Sequence, residues 1–168
     1  MKYLYNTLLV SLISISLISC GGGTTASESA AATETAVAMI ADSISLSIEG
    51  NDLMQYNTDK LSAVEGQVVT LTLKHTGGMS VEAMGHNWVL LATGTDAAMF
   101  GGAAVSAKST GYIPQDMTDK VIANTETIGG GEETSITFTA PKAGYYTFIC
   151  SFPGHYGVMQ GSFVSSPR

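Results

Sequence analysis

The 168-residue chain carries 7 Lys and Arg against 14 Asp and Glu, a formal net charge of −7, and only 12% of its residues are charged. That balance argues against nucleic acid as a partner and against an electrostatic grip on anionic lipid. A soluble acidic surface accounts for it.

The first residues read as an address. Lys2 precedes an apolar run from Leu8 to Ile18, and the small residue Ser19 stands just before Cys20. The run is shorter than the about 20 apolar residues a membrane-spanning helix needs, and it has the layout of a secretory signal over residues 1–19. Leu17-Ile18-Ser19-Cys20 resembles the bacterial lipobox, in which the cysteine becomes the lipidated first residue; an ordinary cleaved signal or a short anchor are the alternatives. A lipobox implies a periplasmic or cell-envelope protein anchored to a membrane through Cys20. Residues 20–40, three glycines followed by mostly Ser, Thr, Ala and Glu, lack any apolar period and read as a flexible tether. One domain over residues 41–168 is then expected, long enough to bury a core without disulfides.

That domain reads as strands. Ser43 to Ile48 alternates strictly, which puts Ile44, Leu46 and Ile48 on one face. Leu53 to Tyr56 is a short second strand after the turn at Gly50-Asn51-Asp52. Gln67 to His75 alternates again, with Val69, Leu71, Leu73 and His75 on one side. Asn87 to Ala92 is a compact apolar strand carrying the sole tryptophan, Trp88. Lys120 to Ala123, Thr134 to Thr139, Tyr145 to Cys150 and Gly161 to Val164 complete about eight strands, separated by Gly, Pro and Asp turn signals. The fold class expected is all-β, a Greek-key sandwich or barrel. Thr95 to Lys108 lacks alternation and reads as an inserted flap with one irregular helix, because its Gly101-Gly102 pair disfavours a long regular one.

Chemistry concentrates near the end of the chain. Cys150-Ser-Phe-Pro-Gly-His155-Tyr-Gly-Val-Met159 offers a thiolate, an imidazole and a thioether, the donors that suit copper cycling between Cu(I) and Cu(II). Phe152-Pro153-Gly154 can turn the chain sharply enough to bring them together. A buried cysteine, an ordinary turn and a core methionine would be the bland reading. If Cys20 carries lipid, Cys150 is a lone thiol outside the cytoplasm, which persists when buried or held by a metal. Of the three histidines, His86 lies in Met84-Gly85-His86-Asn87-Trp88 at the start of an apolar strand and supplies the missing second imidazole. Two imidazoles, a thiolate and a weak axial thioether make a blue-copper site.

Gly50-Asn-Asp-Leu-Met-Gln-Tyr-Asn57, Met84-Gly-His-Asn-Trp-Val-Leu90, Val121-Ile-Ala-Asn-Thr125 and Cys150 to Met159 together resemble azurin, the bacterial cupredoxin, over about Ser43 to Val164. The Cys-to-His-to-Met spacing suits azurin better than plastocyanin. The resemblance implies the cupredoxin sandwich and one type 1 copper. His86, Cys150 and His155 would be equatorial ligands, Met159 a distant axial one, and the Gly85 carbonyl would face the metal from the other side. Asn87 matches a residue that ties the ligand loops together, His75 a histidine near copper but not bound to it, and Phe152 a neighbour of the site. His75 could titrate near neutral pH and bias the potential, or be merely structural. Two departures stand out. The family's usual disulfide would pair positions occupied here by Ile44 and Gly66, so it is absent, and the lipid and tether are additions.

The function implied is single-electron shuttling between redox partners, such as c-type cytochromes or a terminal reductase or oxidase, with His155 as the exit for electrons. Met54, Met79, Met84, Phe152, Pro153 and Val158 would form an apolar docking rim, and the protein is expected to be a monomer with no catalytic activity of its own. Three rivals compete. A copper oxidase or nitrite reductase needs further histidines, and only His75 remains. A copper-storage lipoprotein would be favoured by a methionine cluster, but the methionines are scattered. A structural adhesin would leave the ligand spacing unexplained.

Overall fold

The computed structural model describes residues 41–168; Cys20, the signal over residues 1–19 and the tether up to residue 40 lie outside the described residues. Alternation along the chain builds nine strands: β1 (Ser43–Asn51), β2 (Gln55–Tyr56), β3 (Lys60–Val64), β4 (Val68–His75), β5 (Val89–Leu91), β6 (Val121–Asn124), β7 (Glu133–Thr139), β8 (Gly144–Ile149) and β9 (Gln160–Ser166). Two helices join them, α1 (Val81–Met84) and α2 (Ala97–Ala104), with 3-10 turns at Lys108–Thr110 and Gln115–Lys120. Among the described residues no helix is long and apolar enough to cross a membrane.

The strands form two sheets, ordered β2-β1-β4-β7 and β3-β9-β8-β5-β6. β1 runs parallel to β4 and β3 parallel to β9, while the remaining pairs are antiparallel. Parallel neighbours need crossovers, so the chain passes between sheets as a Greek-key sandwich does. Period-two alternation delivers Ile48, Val69, Leu71 and Leu73 from one sheet onto Leu90, Phe148 and Phe163 from the other, all fully buried, with Trp88 among them. The faces expected from the sequence are therefore the observed ones, including His75 on the buried side of β4.

Two expectations change, and a third, the short helix in the flap, is sharpened. Leu53 to Tyr56 is not a four-residue strand: the Asn51 side chain accepts from the Leu53 and Gln55 amides, Met54 takes a positive φ of 56°, and only Gln55 and Tyr56 pair with β1. The Asn51 side chain competes with the ladder and wins. Lys60–Val64 is a ninth strand, too short to stand out, which pairs with β9 and buries Leu61 and Ala63. The flap between β5 and β6 carries a regular two-turn helix that runs through the Gly101-Gly102 pair. Asp96 caps it by accepting from the Ala98 and Met99 amides, and its buried face rests on the body of the domain. Tertiary packing outweighs the low helix propensity of glycine.

Candidate metal centre

Both ligand-bearing segments sit at the ends of strands of the five-stranded sheet. His86 precedes β5, its backbone N–H and carbonyl exchange hydrogen bonds with Ile128 (2.9 Å each), and β8 ends one residue before Cys150. From Cys150 the chain makes a compact turn. The His155 amide donates to Phe152 O (3.0 Å), the Met159 amide to His155 O (2.8 Å), and the Cys150 amide to Met159 O (2.8 Å). Gly154, at φ 84°, takes the left-handed position that this turn requires.

The turn brings Cys150 Sγ to 3.6 Å from His155 Nδ1 and 3.9 Å from His86 Nδ1, with the Gly85 carbonyl 4.0 Å away. The two nitrogens and the sulfur all lie within 4.8 Å of one another. Taking zinc's bond lengths as a guide, a first-row metal in the plane of two nitrogens and a sulfur sets each N···S separation at about 3.7 Å. The donor triangle therefore fits one metal ion. Cys150, His86 and Met159 are fully buried, and His155 is 3% exposed. Gly50 completes the cradle, since a Cβ there would fall 2.7 Å from His86 Cδ2 and 3.3 Å from the Met159 methyl.

The His86 imidazole is presented in a defined tautomer. His86 Nε2 bonds the Asn51 carbonyl at 2.9 Å, which places the ring proton there and turns the Nδ1 lone pair toward Cys150. Burial pushes the His86 pKa down, opposed mainly by that carbonyl. Burial, helped by His86 and His75, lowers the His155 pKa to about 4. Both rings are thus neutral donors near pH 7. The thiol is the opposite case: burial drives Cys150 up to about 12, so without a cation it keeps its proton.

His75 stacks on His86 at 4.2 Å with both nitrogens satisfied, Nδ1 accepting from the Gly77 amide (3.0 Å) and Nε2 facing Met84 O (2.8 Å). It supports the His86 ring and is not in the donor triangle. Asn87 joins the two ligand segments: its Oδ1 accepts from the Ser151 amide (2.8 Å) and its Nδ2 donates to Ser151 Oγ (2.9 Å) and Gly111 O (3.0 Å). Phe152 packs edge-on against Tyr112 at 5.0 Å and beside His155 at 4.8 Å. At 7% exposure it lies under the rim rather than on it. Met54, Met79 and Val158 are exposed, whereas Met84 and Pro153 are half-buried.

Three contributors have no sequence signal of their own. The Tyr56 hydroxyl donates to Asn87 O at 2.5 Å, Ser151 Oγ to Tyr112 O at 2.8 Å, and the Asn51 carbonyl orients His86. Backbone carbonyls carry no residue identity, so only the fold reveals them.

Residues 42–165 match the family model described as copper binding proteins, plastocyanin/azurin family. The chain belongs to the plastocyanin/azurin family of copper-binding proteins. Among curated relatives it is 39% identical over 121 residues to azurin of Alcaligenes faecalis, covering 70% of this chain and 94% of that one. Azurin of Achromobacter denitrificans is 42% identical over 123 residues, or 68% of this chain and 79% of that one. Among solved structures, the blue copper protein auracyanin A from Chloroflexus aurantiacus superposes with a TM-score of 0.67 at 33% identity, over 73% of this chain and 98% of that one. The architecture is accordingly the all-β cupredoxin fold. Family membership and the buried His–Cys–His cluster, which is able to hold one metal ion, point to a blue-copper electron carrier.

Proposed function

We propose that this chain is a type 1 copper protein that shuttles single electrons between redox partners outside the cytoplasm. The observation that carries this reading is the buried triangle of Cys150 Sγ with His86 and His155 Nδ1, with Met159 in the same turn. Bound copper supplies a one-electron Cu(I)/Cu(II) couple, for which thiolate and thioether favour the reduced state and imidazole serves either. In this assignment His86, Cys150 and His155 would hold the copper as its principal ligands and Met159 would add a weaker thioether, with the Gly85 carbonyl 4.0 Å from Cys150 Sγ.

The chain's own residues do the rest. Asn51 O, His75 and the Asn87–Ser151 pair hold the donors in place, so little rearrangement accompanies a change of charge. Burial excludes water from Cys150. Cys150 must give up its proton when metal enters, so loading releases a proton at neutral pH.

His155 is the electron exit on this reading, under a rim to which Met54, Met79 and Val158 contribute exposed apolar surface and Met84, Pro153 and the buried Phe152 contribute the floor. Such a patch suits brief docking of a transient redox partner, a c-type cytochrome or a terminal reductase or oxidase. Lipid on Cys20 would hold the monomeric carrier at a membrane of the cell envelope, and it performs no catalysis itself.

The test is an optical and EPR spectrum of the purified chain after one equivalent of Cu(II). An intense blue band with narrow copper hyperfine splitting, both lost in Cys150→Ser, is the expected result. A pale protein with an ordinary tetragonal copper signal would refute the electron-transfer reading and favour a copper-storage role. Turnover of nitrite or oxygen by the copper protein alone would refute the assignment as a carrier without catalysis.

A further inference from the structure

The flap between β5 and β6 touches both ligand-bearing segments, beside each of the three donors. The Gly111 carbonyl accepts from Asn87 Nδ2 at 3.0 Å, next to His86. The Tyr112 carbonyl accepts from Ser151 Oγ at 2.8 Å, next to Cys150. On α2, Gly101 faces Tyr156, next to His155; a Cβ there would lie 2.8 Å from Tyr156 Cβ and would overlap the base of the ring. Each contact is made one residue away from a ligand, and the three come from two points of one inserted segment, Gly101 and the Gly111-Tyr112 pair.

The backbone carries further signs of a built contact. Gly111 and Tyr112 both adopt left-handed conformations, φ 64° and 65°. Glycine accepts this freely, but for a bulky residue it is a strained outlier that persists only where its surroundings impose it. Those surroundings are Phe152, edge-on to the Tyr112 ring, and the Ser151 hydroxyl on its carbonyl. α2 tolerates two glycines although each disfavours helix by about 1 kcal/mol relative to alanine. The buried one, Gly101, is the residue that admits Tyr156. Phe100 and Tyr156 share an apolar cluster with Ile149, and Ala104 packs in the cluster of Cys150, Phe152 and Met159.

Resting on the copper reading above, we propose that the flap is a clamp that sets the spacing of the donor atoms before metal arrives, with Tyr156 and Ser151 as its positioning residues. Tyr156 acts through the backbone. His155 donates its amide to Phe152 O and accepts from the Val158 and Met159 amides, so a shift of Tyr156 carries the His155 ring and the Met159 segment with it. Between β8 and β9 those turn hydrogen bonds lie within the loop itself, and the flap, together with Asn87 on Ser151, supplies the hold from outside. Mutation of groups that orient metal ligands typically weakens metal binding by about 10- to 100-fold, which is the size of effect expected here.

The test uses the full chain with Gly101→Ala, Tyr156→Ala and the double variant. Three quantities are read: copper release to excess chelator, the copper spectrum, and amide exchange of Val158 and Met159 in metal-free protein. Gly101→Ala and Tyr156→Ala should each speed release by about 10-fold or more, shift the hyperfine splitting and accelerate exchange. With the ring removed, the Gly101 methyl meets only the Cβ that remains at position 156, at 2.8 Å, so the double variant should lose less than the sum of the two single variants. Lower thermal stability with unchanged release, spectrum and exchange would overturn the clamp, as would additive effects in the double variant. If Gly101→Ala does not fold, unchanged exchange in Tyr156→Ala overturns it alone. Failure of the wild-type chain to turn blue sinks the copper reading instead, while the metal-free exchange still decides the clamp.

Discussion

Replacing Asn87 by leucine removes the polar link between the two ligand segments while keeping the number and branching of the side-chain heavy atoms. Asn87 is fully buried, and its amide serves the Ser151 N–H, the Ser151 hydroxyl and the Gly111 carbonyl. Leucine leaves the Ser151 N–H with no acceptor, and an orphaned buried donor costs about 1–3 kcal/mol. The Gly111 carbonyl retains Thr127 Oγ1 at 3.2 Å and the Ser151 hydroxyl retains Tyr112 O, so each of those losses is about 1 kcal/mol. The expected destabilisation of metal-free protein is therefore about 3–5 kcal/mol, or roughly 10–20 °C in Tm for a domain of this size. Urea unfolding followed by the fluorescence of the buried Trp88 reads it directly. The midpoint should fall while the slope with denaturant stays unchanged, since the surface exposed on unfolding is the same. A loss below about 1 kcal/mol would refute the reasoning, because it would mean that the Ser151 amide finds another partner or that the link is not made in solution.

Stability of the metal-free protein should be flat between about pH 6.5 and 9 and fall on both sides. His155 has a folded pKa of about 4 against an ordinary 6.5, so its contribution is present above 6.5 and is lost as pH falls toward 4, by about 3 kcal/mol at most. The Cys150 thiol, raised from 9.0 to about 12, contributes below 9 and loses that contribution as pH climbs toward 12. Urea midpoints across this range check both limbs, and a midpoint still rising from pH 6.5 to 4 would contradict the first. Gly50→Ala should weaken metal binding by about 10-fold or more, because the new methyl meets His86 and Met159; competition with a chelator measures it. Phe148→Ala, in the centre of the core against Tyr56 and Trp88, should cost about 3–5 kcal/mol in the same unfolding assay. Val158→Glu, at an exposed rim position, should slow electron exchange with a partner while leaving stability within about 0.5 kcal/mol, and an unchanged bimolecular rate would move the docking surface elsewhere.

Much of this molecule is readable along the chain because its signals are local. Alternation in Ser43 to Ile48 and in Gln67 to His75 marks the buried faces, and a pattern of period two has one solution once a face must leave water. The donor residues are legible for a similar reason: a soft metal needs particular atoms, and His86, Cys150 and His155 are three of the four histidines and cysteines in residues 41–168. Lys60–Val64 is not legible along the chain because five residues hold too little pattern, and its pairing with β9 is about a hundred positions distant in sequence. The helix through Gly101-Gly102 ran against propensity, since the reason for glycine there is Tyr156, far along the chain.

The sequence by itself determined the class of fold, the donor set and the metal it suits, because strand periodicity and ligand chemistry are properties of residue type. Tertiary structure alone decided how the donors are held: which ring nitrogen of His86 points inward, that His75 has both nitrogens engaged, and that Asn87, Ser151 and the flap carbonyls meet. Those facts rest on backbone carbonyls and on contacts between distant segments. A carbonyl is common to every residue, so it acquires a role only when the fold aims it.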